Sequence, residues 1–202
     1  MLARMEITDV DPHPLRQLQR WLEEARAAAE PLPEAMALAT ATPDGAPSVR
    51  MVMLRGVEGG PVFFTDAESA KGAELHANPR AAVVLHWLLP VHRQVRVTGP
   101  VGETSGAETD AYWSGRPTTA QTNMTASYQS RVISSRAELE QRARDVSGGL
   151  PDGERLPRPD RWKGWRIEPN TVELWEEAPD GLHDRIRYRR AGSEWVIERL
   201  SP

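Results

Sequence analysis

Cysteine is absent from the 202 residues of the chain. Its absence excludes disulfides, thiolate chemistry, thiolate-bound zinc and cysteine-ligated iron–sulfur clusters, and it suits a reducing compartment. The sequence also lacks a run of about 18 apolar residues, the length that a membrane-spanning helix needs. Because the first residues have no apolar segment of the kind found in secretory signals, we predict a soluble protein of the cytoplasm.

An excess of either charge is missing as well. The chain has 25 basic and 29 acidic residues, whereas nucleic-acid-binding domains usually carry a strong basic excess. No Walker loop, GxGxxG or GxSxG motif occurs, which removes the usual nucleotide-binding and hydrolase interpretations. The five histidines form no HExxH motif and no close cluster with carboxylates, so no metal site is predicted.

The N-terminal part has the pattern of an amphipathic helix. Asp11 is a suitable N-cap, Pro12 suits the first turn, and leucines recur at helical spacing from Leu15 onwards. We therefore predict an N-terminal segment and helix in residues 1–30, followed by a single domain in residues 31–202 that includes closing strands near its end.

The next part of the chain is β in character. Predicted strands cover residues 35–42, 46–54, 61–65, 81–89 and 93–103. The turn residues Pro43-Asp44-Gly45 and Gly59-Gly60 separate the first three strands, and a short helix is predicted before Asn78-Pro79. Five or six strands in meander order, with one short helix inserted, indicate a small antiparallel barrel.

The second half mixes helices and strands. SGAE at residues 105–108 and SRAE at residues 135–138 are capping boxes that predict two helices. A loop rich in Pro and Gly follows at residues 148–159, and the remaining segments, up to ERL, have the pattern of strands. The predicted class is thus mainly β with peripheral helices (α+β).

Several cations lie where they could bind an anion. Arg50 and Arg55 end an apolar strand and, being five residues apart, face opposite ways; they are either solvated or reach different anions. Lys71 lies near a helix start, where free amides also attract anions. Tyr112 and Arg116 share a predicted helix face, where they either clamp a phosphate or simply pack and neutralise the helix end.

The stretch LWEEAPDGLHDRIRY places His183, Arg185 and Arg187 on one strand face beside Trp175. Trp175 is either a core residue or a wall of a ligand site. His183 is a general base, a hydrogen-bond donor to a ring, or an ordinary strand histidine. Together these residues suit a phosphorylated aromatic ligand, but by themselves they identify no reaction.

Ordered blocks along the chain resemble the pyridoxamine/pyridoxine 5′-phosphate oxidase family of FMN-dependent split-barrel enzymes. The blocks are AMALATATPDGAPSVRMVMLR, VFFTDAESAKGAEL, RQVRVTG, YWSGRP, the Gln129-Ser130 pair, WKGWRIEP, VELWEEAPDGLHDRIRY and ERLSP. The resemblance implies an FMN-binding split β-barrel that forms a homodimer, with two FMN molecules between the subunits.

The resemblance also implies a set of site residues. The implied FMN-binding residues are Arg50, Met51, Val52, Met53, Leu54, Arg55, Phe64, Thr65, Lys71, Gln94, Gln129, Ser130, Trp175 and Arg185. Arg50, Lys71 and Ser130 would hold the flavin phosphate and Gln94 the ring edge, while Trp175 and Arg185 would come from the partner subunit. The implied substrate site contains Arg55, Tyr112, Arg116, Ala120, Gly181 and His183, and His183 and Arg185 are the implied catalytic residues.

The implied reaction oxidises pyridoxine or pyridoxamine 5′-phosphate to pyridoxal 5′-phosphate, with O2 as acceptor, hydrogen peroxide as by-product and no metal. Gly181 departs from the family, which typically has Arg there; Arg55, Ala70 and Ala120 replace a common Lys, Arg and Ser. Because of Gly181, two alternatives stay open. One is an FMN-dependent oxidase of another reduced heteroaromatic, as in phenazine biosynthesis, and the other is a flavin- or pyridoxal-phosphate-binding protein with little catalysis.

Overall fold

A computed structural model describes residues 4–151 and 154–202 of the chain. The helices are α1 (Pro14–Ala27), α2 (Ala70–Ala77), α3 (Gly106–Ser114), α4 (Thr118–Ala126) and α5 (Arg136–Gly148). The strands are β1 (Ala35–Ala41), β2 (Pro47–Met53), β3 (Val62–Asp66), β4 (Arg80–Trp87), β5 (Arg93–Glu103), β6 (Trp162–Ile167), β7 (Thr171–Glu176), β8 (Asp184–Ala191) and β9 (Glu194–Arg199). The predicted class, mainly β with peripheral helices, is confirmed.

The strands form one antiparallel sheet with a branch. The main path runs β2-β1-β4-β5-β7-β8-β9, while β6 pairs with β5 and carries β3 on its other side. The predicted meander is wrong at β3, which joins β2 only through an isolated bridge between Gly56 and Val62. The chain reverses at Gly60 (φ 140°), where an added Cβ would lie 1.9 Å from the carbonyl oxygen of Ile167, so β3 turns towards β6. The strand β2 is left as the edge of the main path.

Alternation along the central strands builds the core. The fully buried residues of β1, β4 and β5 include Met36, Leu38, Leu85, Val95 and Val97. Their sequence neighbours point to the opposite, outward face, because strand side chains alternate. The helix α1 packs against the inner side through Leu18, Trp21 and Leu22. The outward face of the sheet is therefore available for other contacts.

The first helix begins later than the sequence suggested. His13 is the N-cap of α1 and Pro14 its first residue, so the predicted N-cap at Asp11 is wrong. The Asp11 carboxylate instead accepts a hydrogen bond from the backbone N–H of His13 at 2.7 Å and pairs with Arg16 at 2.8 Å. Asp11 thus closes the turn before the helix, because Pro14 and not Pro12 occupies the first helical position.

Two predicted caps are confirmed, and one helix was missed. Ser105 and Ser135 accept hydrogen bonds from the backbone three residues later, at 3.1 Å and 3.2 Å. Helix α4, of sequence TTAQTNMTA, was not predicted because Thr and Asn are poor helix formers. Tertiary contacts hold it: buried Gln121 donates to the carbonyl oxygen of Trp113 at 2.8 Å. None of the helices within the described ranges is long and apolar enough to cross a membrane.

Candidate functional site

Many of the predicted site residues line one cavity, beside β2 at the sheet edge. This strand-edge cavity has a volume of about 220 Å³. Its lining residues are Met51, Val52, Met53, Arg55, Phe64, Thr65, Lys71, Tyr112, Met124, Gln129 and Trp162. Sequence reasoning missed Met124 and Trp162, since an apolar residue on a helix or strand has the same pattern whether it lines a site or packs in a core.

Lys71 provides the cavity with a half-buried cation. Its ammonium group lies 2.8 Å from Gln129 Oε1, 3.1 Å from Thr65 Oγ1 and 3.2 Å from Ser69 Oγ. Burial, followed by repulsion from Arg50, lowers the pKa of Lys71. Among residues 4–151 and 154–202, no carboxylate lies within ion-pair distance of this ammonium group. An anion bound here would relieve both effects.

Arg50 is held by other groups of the protein. Its guanidinium donates to Ser48 Oγ and Thr40 Oγ1, both at 2.5 Å, and to Glu74 at 3.1 Å. Both terminal nitrogens are therefore engaged, and Nε is left to contact a ligand. Arg50 acts on the strand-edge cavity through its charge beside Lys71, and a direct phosphate contact stays a prediction.

Two guanidinium groups lie close to the Tyr112 ring. Its ring stacks on Phe64 with centroids 3.9 Å apart and an interplanar angle of 1°. The Cζ atoms of Arg55 and Arg116 lie 5.9 Å and 5.7 Å from the Tyr112 centroid. Arg116 follows the end of α3, so the predicted shared helix face is wrong, yet its side chain does reach Tyr112. Within the described residues, its buried Nε has no hydrogen-bond partner.

Gly164 supports this stack from behind. It pairs with Phe64 across β3 and β6, and an added Cβ would lie 2.6 Å from the Phe64 ring and 2.2 Å from Thr104 Oγ1. We expect Gly164→Ala to displace Phe64 and Tyr112 and to lower the free energy of unfolding by about 1–3 kcal/mol through overpacking.

Chemical denaturation and ligand affinity measure these effects. The matched control is Gly102→Ala on β5, where no atom lies within 4 Å of the added Cβ. If Gly164→Ala and Gly102→Ala have the same free energy of unfolding and the same affinity for the ligand, the position of Phe64 does not depend on its contact with Gly164.

Three other predicted residues are not part of the lining of this cavity. Ser130, with φ 65°, accepts a hydrogen bond from the backbone N–H of Ala70 at 3.2 Å and so lies beside Lys71 at the start of α2. Leu54 is buried in the core, so its side chain does not line the cavity and only its main chain remains for a ligand contact. Ala120 lies half-buried on α4.

The remaining predicted ring-binding residues lie on the outward face of the sheet. A second cavity of about 250 Å³, here called the sheet-face cavity, is lined by Gln94, Arg96, Glu173, Trp175, Arg185 and Pro202. Gln94 pairs with Trp175 across β5 and β7, and Trp175 pairs with Arg185 across β7 and β8. The predicted common face of Arg185 and Arg187 is confirmed, whereas His183 lies just before the start of β8.

Two imidazoles flank Trp175. The ring centroids of His92 and His183 lie 5.0 Å and 4.8 Å from that of the indole. His183 Nδ1 accepts a hydrogen bond from the backbone N–H of Ala178 at 3.2 Å. In the neutral ring this leaves the proton on Nε2, which is then a donor. The geometry favours the hydrogen-bond-donor interpretation of His183 over that of a general base.

The loop before His183 is shaped by glycine. Gly181 has φ 78°, and its backbone N–H donates to the carbonyl oxygen of Ala178 at 3.0 Å. Among the described residues, no atom lies within 4 Å of an added Cβ at Gly181. Asp180 of this loop pairs with Arg4 at 2.5 Å, which links the loop to the N-terminal segment. The position where the family typically has Arg is thus open space here.

The two cavities lie on strands that are not neighbours in the sheet. Four inter-strand steps separate β2 from β7, which amounts to about 19 Å along the sheet. Between them the outward face carries Ala37, Ala39 and Val84, bordered by Val49 and Met51, which are 69% and 63% exposed. An apolar strip therefore separates the two cavities on the outward face of the sheet.

Comparison with protein-family models gives two matches. Residues 22–148 match the family described as pyridoxamine 5′-phosphate oxidase. Residues 162–202 match the pyridoxine 5′-phosphate oxidase C-terminal dimerisation region. The two matches together cover most of the chain, including both cavities.

Individual relatives agree with this. The chain is 46% identical to a pyridoxine/pyridoxamine 5′-phosphate oxidase of Cupriavidus metallidurans, covering 100% of this chain and 95% of that protein. It is also 46% identical to the one of Rhodospirillum rubrum, with coverages of 97% and 98%.

Solved structures show the same fold. PhzG from Burkholderia lata, solved in complex with tetrahydrophenazine-1-carboxylic acid, has a TM-score of 0.91 and 34% identity and covers 100% of this chain and 98% of that one. A pyridoxamine 5′-phosphate oxidase-related, FMN-binding protein from Nostoc punctiforme has a TM-score of 0.75 and 20% identity. The match covers 96% of this chain and 100% of that one, and at this identity it supports the fold alone.

Proposed function

The chain belongs to the pyridoxamine 5′-phosphate oxidase family of FMN-dependent oxidoreductases, and we propose that it oxidises pyridoxine or pyridoxamine 5′-phosphate to pyridoxal 5′-phosphate with O2 as acceptor. The observation that carries this proposal is the pair of guanidinium groups close to Tyr112, one of which has a buried N–H with no hydrogen-bond partner among the described residues. Such a cage suits a phosphate monoester, because charge-assisted hydrogen bonds to phosphate are strong. A cytoplasmic location stays a prediction from the sequence.

The strand-edge cavity fits the phosphate end of FMN. Lys71 supplies a cation without a carboxylate partner in the described part of the chain, and Thr65, Gln129 and Ser130 supply polar groups around it. In the sheet-face cavity, Gln94 can bond to the ring edge while Trp175 and Arg185 flank it. The donor set therefore fits FMN, divided between two places on the chain.

A homodimer would unite these halves. The matched dimerisation region includes β7 and β8, which carry Trp175 and Arg185. A C2 interface is self-complementary, so the apolar face around Ala39 would pack on its own copy. We propose that each FMN contacts the strand-edge cavity of one subunit and the sheet-face cavity of the other.

Substrate positioning follows from the same geometry. Arg55, Tyr112 and Arg116 would hold the substrate phosphate, and the Nε2–H of His183 would donate a hydrogen bond to the pyridine substituents. FMN, when bound, would supply the acceptor for the hydride of the C4′ carbon and the means of passing its electrons on to O2. Overall, the alcohol and O2 give the aldehyde and hydrogen peroxide; the amine also consumes water and releases ammonia. The protein contributes mainly orientation.

One observation favours a second candidate, the oxidation of another reduced heteroaromatic. Among the described residues, an added Cβ at Gly181 would meet no atom, so this loop has room where a family arginine would lie. The solved relative PhzG, at 34% identity, holds a tricyclic tetrahydrophenazine carboxylate. A substrate wider than pyridine would use that room, and its carboxylate could take the place of the phosphate.

Anaerobic bleaching of the bound flavin distinguishes these candidates. We expect pyridoxine and pyridoxamine 5′-phosphate to reduce the flavin of the purified holoenzyme, and readmitted O2 to restore its colour with stoichiometric peroxide. Reduction by a dihydrophenazine carboxylate and not by the vitamin B6 phosphates would establish the second candidate. A yellow protein that neither compound reduces would leave flavin binding intact and overturn both oxidase proposals.

A further inference from the structure

Glu173 is a buried carboxylate in the lining of the sheet-face cavity. No motif or spacing in the sequence identified it as a site residue. It lies on β7, between β5 and β8, with 9% of its surface exposed. One carboxylate oxygen accepts hydrogen bonds from Arg185 Nε at 3.0 Å and Nη2 at 2.6 Å. The other accepts from Arg96 Nη2. Glu173 therefore joins two cations in the place where the flavin ring is proposed to lie.

These contacts restrict Arg185 to one orientation. Nη1 of Arg185 donates to the carbonyl oxygen of Ser201 at 2.9 Å. Three of the five N–H groups of the guanidinium are thus occupied by the chain itself, and two remain for a ligand, counting partners among the described residues. A free arginine side chain loses much rotamer entropy when it binds. A pre-formed pair removes most of that cost from ligand binding.

The charge of Glu173 is as important as its shape. Arg96 and Arg185 approach the same carboxylate from opposite sides, so they would repel each other without it. A ring that covers the cavity would exclude water and strengthen that repulsion. A neutral side chain at this position would therefore allow Arg185 to move away, even if the side chain had the same size.

We infer that Glu173 is a positioning residue for the flavin: it holds the Arg185 guanidinium, with Arg96 as its second partner, in the orientation that contacts the ring. The inference rests on the proposed function, because it assumes that FMN lies in the sheet-face cavity. Glu173 touches neither substrate nor reacting atoms in this assignment. Its effect passes through Arg185.

The chain offers a closely matched control for the test. Glu198 accepts from Arg187 Nε at 3.0 Å and Nη2 at 2.7 Å, which reproduces the geometry of the Glu173 pair on the neighbouring strands. Its pair lies outside the lining of the sheet-face cavity. The experiment compares Glu173→Gln with Glu198→Gln in the full-length protein. It measures the FMN dissociation constant by quenching of flavin fluorescence, the dimer content by sedimentation, and the melting temperature of the apoprotein.

We expect Glu173→Gln to weaken FMN binding about 10- to 100-fold. This is the range expected if the displaced Arg185 no longer makes its charge-assisted hydrogen bond to the flavin. Glu198→Gln should retain wild-type affinity, and both variants should remain dimers with similar melting temperatures. Glu173→Asp, which restores the charge, should recover part of the affinity.

Equal or tighter FMN binding by Glu173→Gln would overturn the inference while leaving the proposed function in place. A parallel loss of affinity in both variants would show a structural effect and overturn it too. Wild-type protein that fails to bind FMN would instead refute the proposed function itself.

Discussion

Arg116→Ala is expected to raise the KM for pyridoxine 5′-phosphate about 10- to 100-fold, because hydrogen bonds to charged groups contribute about 1.5–3 kcal/mol. Arg116 lies over the ring of Tyr112. Among the described residues it pairs with no carboxylate, and its buried Nε has no hydrogen-bond acceptor. Because the phosphate is bound alike in the ground state and the transition state, kcat should change little. FMN content should stay at the wild-type level, since Lys71 and not Arg116 lines the strand-edge cavity. Steady-state kinetics and the flavin absorbance of the purified protein measure both quantities.

The control for this prediction is Arg136→Ala. Arg136 is an exposed arginine whose side chain pairs with Glu140 one helical turn away, so its loss should leave KM unchanged. A sharper measurement uses the dephosphorylated substrate, pyridoxine. The wild type should discriminate strongly against it, and Arg116→Ala should discriminate less. Loss of flavin with an unchanged KM would show that the arginine belongs to the cofactor site and not to a substrate cage.

Val49→Asp is expected to convert the proposed dimer to monomers and to abolish FMN binding at micromolar protein concentration. Val49 projects from the edge strand β2 with 69% of its surface exposed, beside the small residue Ala39. In a symmetric interface each substitution occurs twice, so two carboxylates would be buried without partners. Each costs several kcal/mol, and the dimer dissociation constant should rise at least about 100-fold. Sedimentation velocity and FMN titration measure the two effects together.

Ala137→Asp introduces the same charge on α5, which has no buried residue, and should change neither the dimer nor FMN affinity.

A complementation experiment tests the shared site independently of folding. Lys71→Ala disables one cavity and Trp175→Ala the other, so each variant alone should lose FMN. Heterodimers formed by mixing them contain one intact site and should recover binding. A monomeric Val49→Asp protein with wild-type FMN affinity, or a mixture that recovers nothing, contradicts a site shared between subunits.

Local patterns in the sequence predicted most of the elements. Alternation identified the strands from β1 to β9, and the serine caps identified the starts of α3 and α5, because these signals depend on neighbouring residues. Helix α4 was missed since its stability comes from Gln121 and its tertiary contacts and not from propensity. The pairing of β3 with β6 was missed for a related reason: the partner lies about 100 residues further along the chain, and no local signal specifies it.

The candidate site divides in the same way. Local patterns singled out Lys71, Tyr112, Trp175 and Arg185 as candidates, and the family resemblance then implied a role for each. Glu173 was not found, since a glutamate on a strand that is partly exposed has an unremarkable pattern until its two arginine partners are placed beside it. For Arg50, the resemblance implied a flavin-phosphate contact, and only the structure shows that Glu74 already engages its guanidinium and that Nε is left for a ligand.

The sequence by itself determined which segments are strands, which chemical groups are present and which family the chain resembles, because each of these is encoded in the order of neighbouring residues. Only the tertiary structure decided that these groups line two separate cavities, on strands that lie four inter-strand steps apart in one sheet. It also decided that an apolar face lies between them and that a buried glutamate orients one of the arginines. The physical reason is that distances, burial and ion pairs arise when strands far apart in sequence align side by side, and that register is a property of the whole sheet.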